Sequence, residues 1–284
     1  MAQKIARARW FFDRTSWVPT VEELNFALSS IHPEERDRVM KYVFYKDAIA
    51  TLSGRLMIRK FLAEATGLPW ADIAVGRDEN EKPIFPSDIS LQFNVSHQGK
   101  YTIFAGESSG AKVGVDIMEI KYTGGKPLKE FFRLMSRQFS KQEWEKIHEN
   151  SLPTRQERTF YRLWSLKESY IKATGVGMKV PLKDIDFRIN SPLKSVAEFV
   201  EDTELFLEGE KQENWKFQEV LIDENYGACV AIHCQSEELK NYPCLPFCEV
   251  MAQDLLKFCT TALPADEKAA EDLFKKYLES EDRK

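Results

Sequence analysis

In the segment Lys112–Glu119, K-V-G-V-D-I-M-E, Asp116 stands inside an apolar run made by Val113, Val115 and Ile117. Such a run reads as a strand. An aspartate there is disfavoured by propensity and costly to bury without a partner. Two readings are open: the carboxylate accepts backbone hydrogen bonds at a strand end, or it is a metal ligand, because a divalent cation makes an isolated buried carboxylate tolerable. A second carboxylate lies in W-S-L-K-E-S-Y-I-K-A-T-G-V-G, Trp164–Gly177, which has the pattern of a helix stopped by glycine. Glu168 and Lys172 are four residues apart in the favourable Glu-before-Lys order. As an exposed pair they would contribute roughly 0.3–0.5 kcal/mol. Trp164 lies one turn earlier on the same face, so that face begins apolar and becomes charged, as in a helix half in a core and half lining a cleft. One aspartate from a strand and one glutamate from a helix would leave several positions of a magnesium octahedron for water and phosphate oxygens.

His97 follows Ser96 in F-N-V-S-H-Q-G, directly after a strand-like stretch and at a turn. A turn histidine has either a structural role or, with Ser96 and backbone N–H groups, the role of donor to a phosphate oxygen. The one G-x-S-x-G match, Gly106–Gly110, falls between two strand-like stretches and not at the strand-to-helix turn that a serine-hydrolase elbow needs, which argues against such a triad. The formal net charge of −5 argues against a dedicated nucleic-acid binder. The charge is uneven, however. Arg36, Arg38, Lys41, Lys46, Arg55, Arg59 and Lys60 face only Asp37 and Asp47 between Arg36 and Lys60, which is either a solvated helical face or a surface for an anionic ligand or acidic partner. The five cysteines, Cys229, Cys234, Cys244, Cys248 and Cys259, have no spacing that suits zinc and read as reduced thiols. No apolar run is long enough for a membrane span, and the N-terminal stretch has no secretory pattern, so a cytosolic protein is expected.

The elements that must hold these residues follow from caps and periodicity. Thr20-Val-Glu-Glu23 and Ser140-Lys-Gln-Glu143 are capping boxes, and Pro33 opens a helix with Glu34 and Glu35 in its first turn. Ala48, Leu52, Leu56, Ile58, Phe61 and Leu62 make the apolar stripe of a long helix that stops at Gly67. Strands are expected at D-I-A-V-G-R, L-Q-F-N-V, Y-T-I-F-A-G and K-V-G-V-D-I-M. After a second helical set beginning near Leu128, the pattern continues in D-I-D-F-R-I, E-L-F-L-E-G, N-W-K-F-Q-E-V-L-I and Y-G-A-C-V-A-I-H-C, as one antiparallel sheet. Helices then strands, twice over, predict an α+β fold of two similar halves joined near Y-T-G-G-K-P. The tail reads as helix packed on the C-terminal half.

G-V-D-I-M, F-S-K-Q-E-W and W-S-L-K-E-S-Y-I-K-A-T-G-V-G occur in the order and spacing of a known family. The chain resembles the larger, monomeric 4′-phosphopantetheinyl transferases, closest to the eukaryotic aminoadipate-semialdehyde dehydrogenase phosphopantetheinyl transferases. F-N-V-S-H-Q-G-K-Y-T-I-F-A is similar to the family's phosphate-binding hairpin, and R-D-E-N-E-K-P-I-F to its loop ending in Lys-Pro. The likeness spans roughly Trp17 to Ile232. It implies two pseudo-symmetric halves, each with helices packed on an antiparallel sheet, and an active site in the crevice between them. The halves would be 1–112, with coenzyme A contacts, and 113–235, with the metal and transfer motifs, followed by a helical tail over 236–284. Asp116 and Glu168 would hold Mg2+. Lys172 would reach a phosphate of coenzyme A, to which Arg38, Arg77, Lys82, Asn94, Val95, Ser96, His97, Glu168 and Ser169 would also contribute. Glu168, Lys172 and Asp116 would be the catalytic set. The activity implied is transfer of 4′-phosphopantetheine from coenzyme A to a serine of apo acyl carrier protein domains, of the fatty acid synthase or aminoadipate-semialdehyde dehydrogenase type. The alternative is a non-catalytic coenzyme A or carrier-protein binding module. Many bacterial members read G-x-D-x-E; here Met118 stands at the third acidic position, and Glu119 falls on the opposite strand face. Water is therefore expected to complete the metal shell.

Overall fold

The computed structural model describes residues 6–121, 125–175, 177 and 180–281. Its first elements are β1 (Arg7–Asp13), α1 (Val21–Ser29), α2 (Pro33–Met40), α3 (Tyr45–Thr66), β2 (Gly76–Arg77), β3 (Pro83–Ile84), β4 (Gln92–Gln98) and β5 (Tyr101–Glu107). Then come β6 (Lys112–Glu119), α4 (Leu128–Leu134), α5 (Lys141–His148), α6 (Pro153–Thr174), β7 (Ile185–Arg188) and β8 (Glu204–Leu207). The last are β9 (Glu210–Lys211), β10 (Trp215–Asp223), β11 (Tyr226–His233), α7 (Ser236–Lys240), β12 (Cys248–Glu249), α8 (Ala252–Leu256) and α9 (Glu267–Glu281). Both expected capping boxes form, on α1 and α5. The segment expected as the join, Y-T-G-G-K-P, falls partly outside the described residues.

The described residues divide into two compact units of helices on antiparallel strands. One holds the chain up to Gly76, Pro83–Ser109 and the stretch from Cys248 on; the other holds Arg77–Lys82 and Gly110–Phe247. In the first, the sheet order is β12-β1-β5-β4, with β1–β5 and β5–β4 antiparallel. α3 packs on β5 and buries Leu52, Leu56, Phe61 and Leu62. In the second, β10-β11-β6 form an antiparallel sheet under α6, and β7-β8-β9 form a separate small one. The four late strands thus do not make the single sheet that alternation suggested.

Four further differences have local causes. β1 has no counterpart in the sequence reading; it pairs along β5 from Arg7↔Glu107 to Asp13↔Tyr101. D-I-A-V-G-R is strand only at Gly76–Arg77, and a 3-10 turn takes Trp70–Asp72. The expected boundary at 112/113 misplaces Arg77–Lys82, because the Lys82 ammonium donates to the Ala173 carbonyl at the end of α6, 3.4 Å away. Nor does 236–284 form one tail on the C-terminal half. Its start stays with the second unit, where Lys216 and Gln218 donate to the Tyr242 and Pro243 carbonyls. From Cys248 the chain joins the first unit: β12 lies parallel to β1 (Trp10↔Cys248), and α9 buries Ala270 and Leu273 against α1 and α3. Among the described residues no helix is long and apolar enough to cross a membrane.

Candidate functional site

α6 starts with Pro153 at its first turn and ends where Gly175 takes φ 72°, the left-handed conformation that suits glycine. Its buried face carries Phe160, Leu163, Leu166, Tyr170 and Ala173. The two lysines of W-S-L-K-E-S-Y-I-K go to different places. Lys167 is fully buried, with Nζ 2.8 Å from Glu143 of α5, whose side chain is also fully buried. Lys167 also donates to the Leu182 and Ile185 carbonyls, while Glu143 accepts from the Ser140 and Phe187 N–H groups. Burial pushes the Glu143 carboxyl up and the Lys167 ammonium down, and in each case the partner's charge is the strongest opposing cause. With acceptors around one group and donors around the other, the pair is ionised and ties α5 and β7 to α6.

Lys172 instead reaches β6. Its Nζ is 2.6 Å from Asp116 Oδ1, and Asp116 is only 4% exposed. Gly114 makes this closeness possible. A Cβ on it would lie 2.0 Å from the Ser169 carbonyl oxygen and 2.4 Å from the Ala173 nitrogen, so the strand lies directly against the helix backbone. Glu168 stands one turn before Lys172 on the same helix face. Burial raises its carboxyl above the usual glutamate value, the Asp116 charge raises it further, and Lys172 opposes both. The Lys172 ammonium therefore lies beside two carboxylates.

That donor set fits a hard divalent cation, which takes oxygen ligands and offsets the repulsion between carboxylates. Among the described residues no three His, Cys, Asp or Glu side chains are placed to hold an ion together. Met118 shares Asp116's strand face, but its thioether is too soft a ligand for magnesium. Glu119 is on the other face.

The remaining expected residues fall in two groups. Arg77 and Lys82 are in the same unit as Asp116, Glu168 and Lys172. The loop bearing them is shaped by Asp78, whose Oδ1 accepts the Asn80 and Lys82 N–H groups, and by Glu81 at φ 64°. Arg77 Nη1 donates to the Glu81 carbonyl at 2.5 Å. Burial lowers the Lys82 ammonium below the usual lysine value; Asp78 works against this and Lys112 adds to it. Arg38, Asn94, Val95, Ser96 and His97 are in the other unit. Arg38 is exposed on α2. Asn94 and Ser96 are buried on β4, while His97 is exposed and still within the strand, opposite Thr102, not at a turn. Val95 packs on α3, where a Cβ on Gly54 would be 3.0 Å from its Cγ1.

Ser169 is turned into the fold. Its hydroxyl is fully buried, donates to the Leu166 carbonyl at 2.8 Å and lies 3.3 Å from Cys229 Sγ, so it braces α6 on β11. The sequence reading passed over Gly114 and Lys167. A glycine within an apolar strand is itself a sign of close backbone approach. The partner of Lys167 lies 24 residues upstream and has no local signature.

Comparison with known proteins shows the family. Residues 15–109 match the model for the N-terminal part of 4′-phosphopantetheinyl transferases, and residues 112–231 match the 4′-phosphopantetheinyl transferase superfamily. Over 229 residues the chain is 40% identical to the mouse L-aminoadipate-semialdehyde dehydrogenase-phosphopantetheinyl transferase, spanning 79% of this chain and 74% of that one. The chain belongs to the 4′-phosphopantetheinyl transferase family. The human counterpart is also 40% identical over the same shares, and a Bacillus subtilis 4′-phosphopantetheinyl transferase is 33% identical over 57% of this chain and 68% of its own. Among solved structures, Thermotoga maritima holo-[acyl-carrier-protein] synthase aligns with a TM-score of 0.31 at 15% identity, covering 43% of this chain and 62% of that one.

Proposed function

We propose that this phosphopantetheinyl transferase is a cytosolic, monomeric, magnesium-dependent enzyme that moves 4′-phosphopantetheine from coenzyme A to a serine of an apo carrier protein, releasing adenosine 3′,5′-bisphosphate. The supporting observation is the meeting of Asp116, Glu168 and Lys172: two coupled carboxylates beside a lysine 2.6 Å from one of them. Asp116 and Glu168 would hold Mg2+, which when bound offsets charge on the pyrophosphate oxygens. Lys172 places a mobile cation where negative charge grows on the leaving phosphate. Glu168 is the candidate to take the serine proton, directly or through a metal-bound water. Arg77 and Lys82, with Arg38, Asn94, Ser96 and His97, would bind the nucleotide and phosphates.

Carrier proteins of the fatty acid synthase and aminoadipate-semialdehyde dehydrogenase types are acidic, and docking would use the basic run over 36–60. Its cations are not equivalent. Arg59 is fully buried against Glu35 at 2.7 Å, and Arg55 lies 3.7 Å from the same carboxylate. Arg38, Lys41 and Lys46 remain exposed, beside exposed Tyr42, Val43 and Phe44. Electrostatic docking predicts that added salt raises KM for carrier protein more than KM for coenzyme A.

The test is incubation with coenzyme A, Mg2+ and a panel of apo carriers, read by the mass gain of each carrier. Transfer that needs Mg2+ and is abolished by Glu168→Gln is expected. No mass gain on any carrier, with coenzyme A still bound, would favour a binding module instead.

A further inference from the structure

The Asp116–Lys172 contact raises a question that the transfer chemistry leaves open. Lys172 cannot serve Asp116 and a phosphate at the same moment. Its Nζ is 2.6 Å from Asp116 Oδ1, and its side chain is 27% exposed against 5% for Asp116. The carboxylate is fixed on β6 in register with Cys229 of β11, whereas the lysine sits on a four-carbon stem and is partly exposed. Only the lysine can move without distorting the sheet.

We propose that Lys172 is an exchangeable counter-ion, which neutralises Asp116 in the metal-free protein and must leave it when a divalent cation binds to Asp116 and Glu168. This rests on the magnesium reading above. A nearly buried carboxylate with no opposite charge is costly, so the fold needs a cation at that place. Lys172 supplies one from within the chain. Once a metal ion supplies two charges at the same carboxylates, the ammonium faces like charge, and its stem lets it swing towards solvent. There it meets a phosphate of coenzyme A. Metal and substrate binding would then reinforce each other through a single side chain: Lys172 would leave Asp116 when the ion is held there, and would stay away while it pairs with the phosphate. By linkage the effect is equal in both directions.

Divalent-ion binding without turnover tests this, with Mn2+ followed by electron paramagnetic resonance and Mg2+ by calorimetry, on the whole chain. Lys172→Met removes the competitor. It should bind Mn2+ about tenfold more tightly than the wild type, the lower end of what a neighbouring cation does to a carboxylate's affinity for a proton. Lys172→Arg, which can grip a carboxylate with two N–H groups, should bind it more weakly than the wild type. Adenosine 3′,5′-bisphosphate should tighten Mn2+ binding to the wild type more than to Lys172→Met. Circular dichroism checks that each variant is folded; if Lys172→Met is not, the arginine variant and the bisphosphate effect on the wild type decide. Equal or weaker Mn2+ binding by folded Lys172→Met overturns the exchange while leaving the magnesium site standing. Absence of divalent binding in every variant, with Asp116→Asn indistinguishable from wild type, overturns the magnesium reading itself.

Discussion

α6 carries two lysines five residues apart, in surroundings that could hardly differ more. Lys167 is fully buried and meets Glu143 and two carbonyls, and Glu143 in turn accepts two backbone N–H groups. Lys172 is partly exposed and meets Asp116, with Glu168 a turn away on a carboxyl that burial and Asp116 have pushed up. In the first region every charge is matched by donors and acceptors of the fold. In the second, one ammonium lies beside two carboxylates. A buried ion pair with all partners in place holds elements together, and partly exposed, mutually perturbed charges are suited to bind something. Charge alone does not distinguish the two lysines; their partners do.

The largest effect should separate the two regions by stability. Lys167→Met leaves Glu143 ionised in a dry site, a situation that costs about 3–5 kcal/mol. Urea unfolding should show that loss, while the variant that remains folded at low temperature keeps its affinity for coenzyme A. A variant as stable as wild type would mean that Lys167 is not the tie between α5, β7 and α6.

Next in size is the opposite case, loss of activity with little loss of stability. Asp116→Asn keeps the size of the side chain and removes its charge. Removing electrostatic stabilisation of this kind typically lowers kcat by roughly 10²–10³. Steady-state transfer to an apo carrier, beside a urea curve, checks both halves. Activity within a factor of two of wild type would remove Asp116 from the transfer machinery.

Gly114→Ala tests the seam that joins the regions. The new Cβ would have to be relieved from 2.0 Å against the Ser169 carbonyl, so strand and helix must part. Overpacking of this sort costs about 1–3 kcal/mol. A shift near 1 Å at Asp116 relative to Lys172 would lower turnover by roughly 10². A small stability loss with full activity would show that the site tolerates the shift. Kinetics and unfolding measured on one preparation decide.

How much of this could be read from the sequence follows from the range of each signal. Caps and glycine stops are local, so the starts of α1 and α5 and the ends of α3 and α6 were legible within about a residue. Asp116 stood out because an acid in an apolar strand violates a local preference. Its ion pair with Lys172 spans 56 residues and was not expected, since the family likeness gave Asp116 to the metal and Lys172 to a phosphate. β1 was missed because its pairing partner lies about ninety residues on, at β5. The departure of the tail from Cys248 into the first unit was missed for the same reason, since β12 and α9 are fixed by what they pack on. The inward turn of the Ser169 hydroxyl was not legible, because it depends on the strand beneath it, with Cys229.

The smallest expected effect lies in pH. Folding raises the Glu168 carboxyl, through burial first and Asp116 second. The folded state therefore holds this proton more tightly than the unfolded chain, so ionisation at Glu168 opposes folding. Its cost is absent below the ordinary glutamate range, about pH 4.3, and grows as pH rises through the raised value of the folded state. Glu168→Gln abolishes that dependence. In EDTA, the stability of wild type relative to Glu168→Gln should fall as pH rises from 4 towards neutrality, about the span over which a raised carboxyl titrates. Added Mg2+ should reverse the order at neutral pH, since the carboxylate that burdens the metal-free protein is the one that would bind the ion. Lys167 and Glu143 provide the contrast: with both groups enclosed by their partners, Mg2+ should leave the stability difference between wild type and Lys167→Met unchanged. Urea midpoints across pH, with and without Mg2+, measure all three. If Mg2+ shifts wild type and Glu168→Gln alike, Glu168 is not a ligand, and its raised carboxyl is a cost of packing alone.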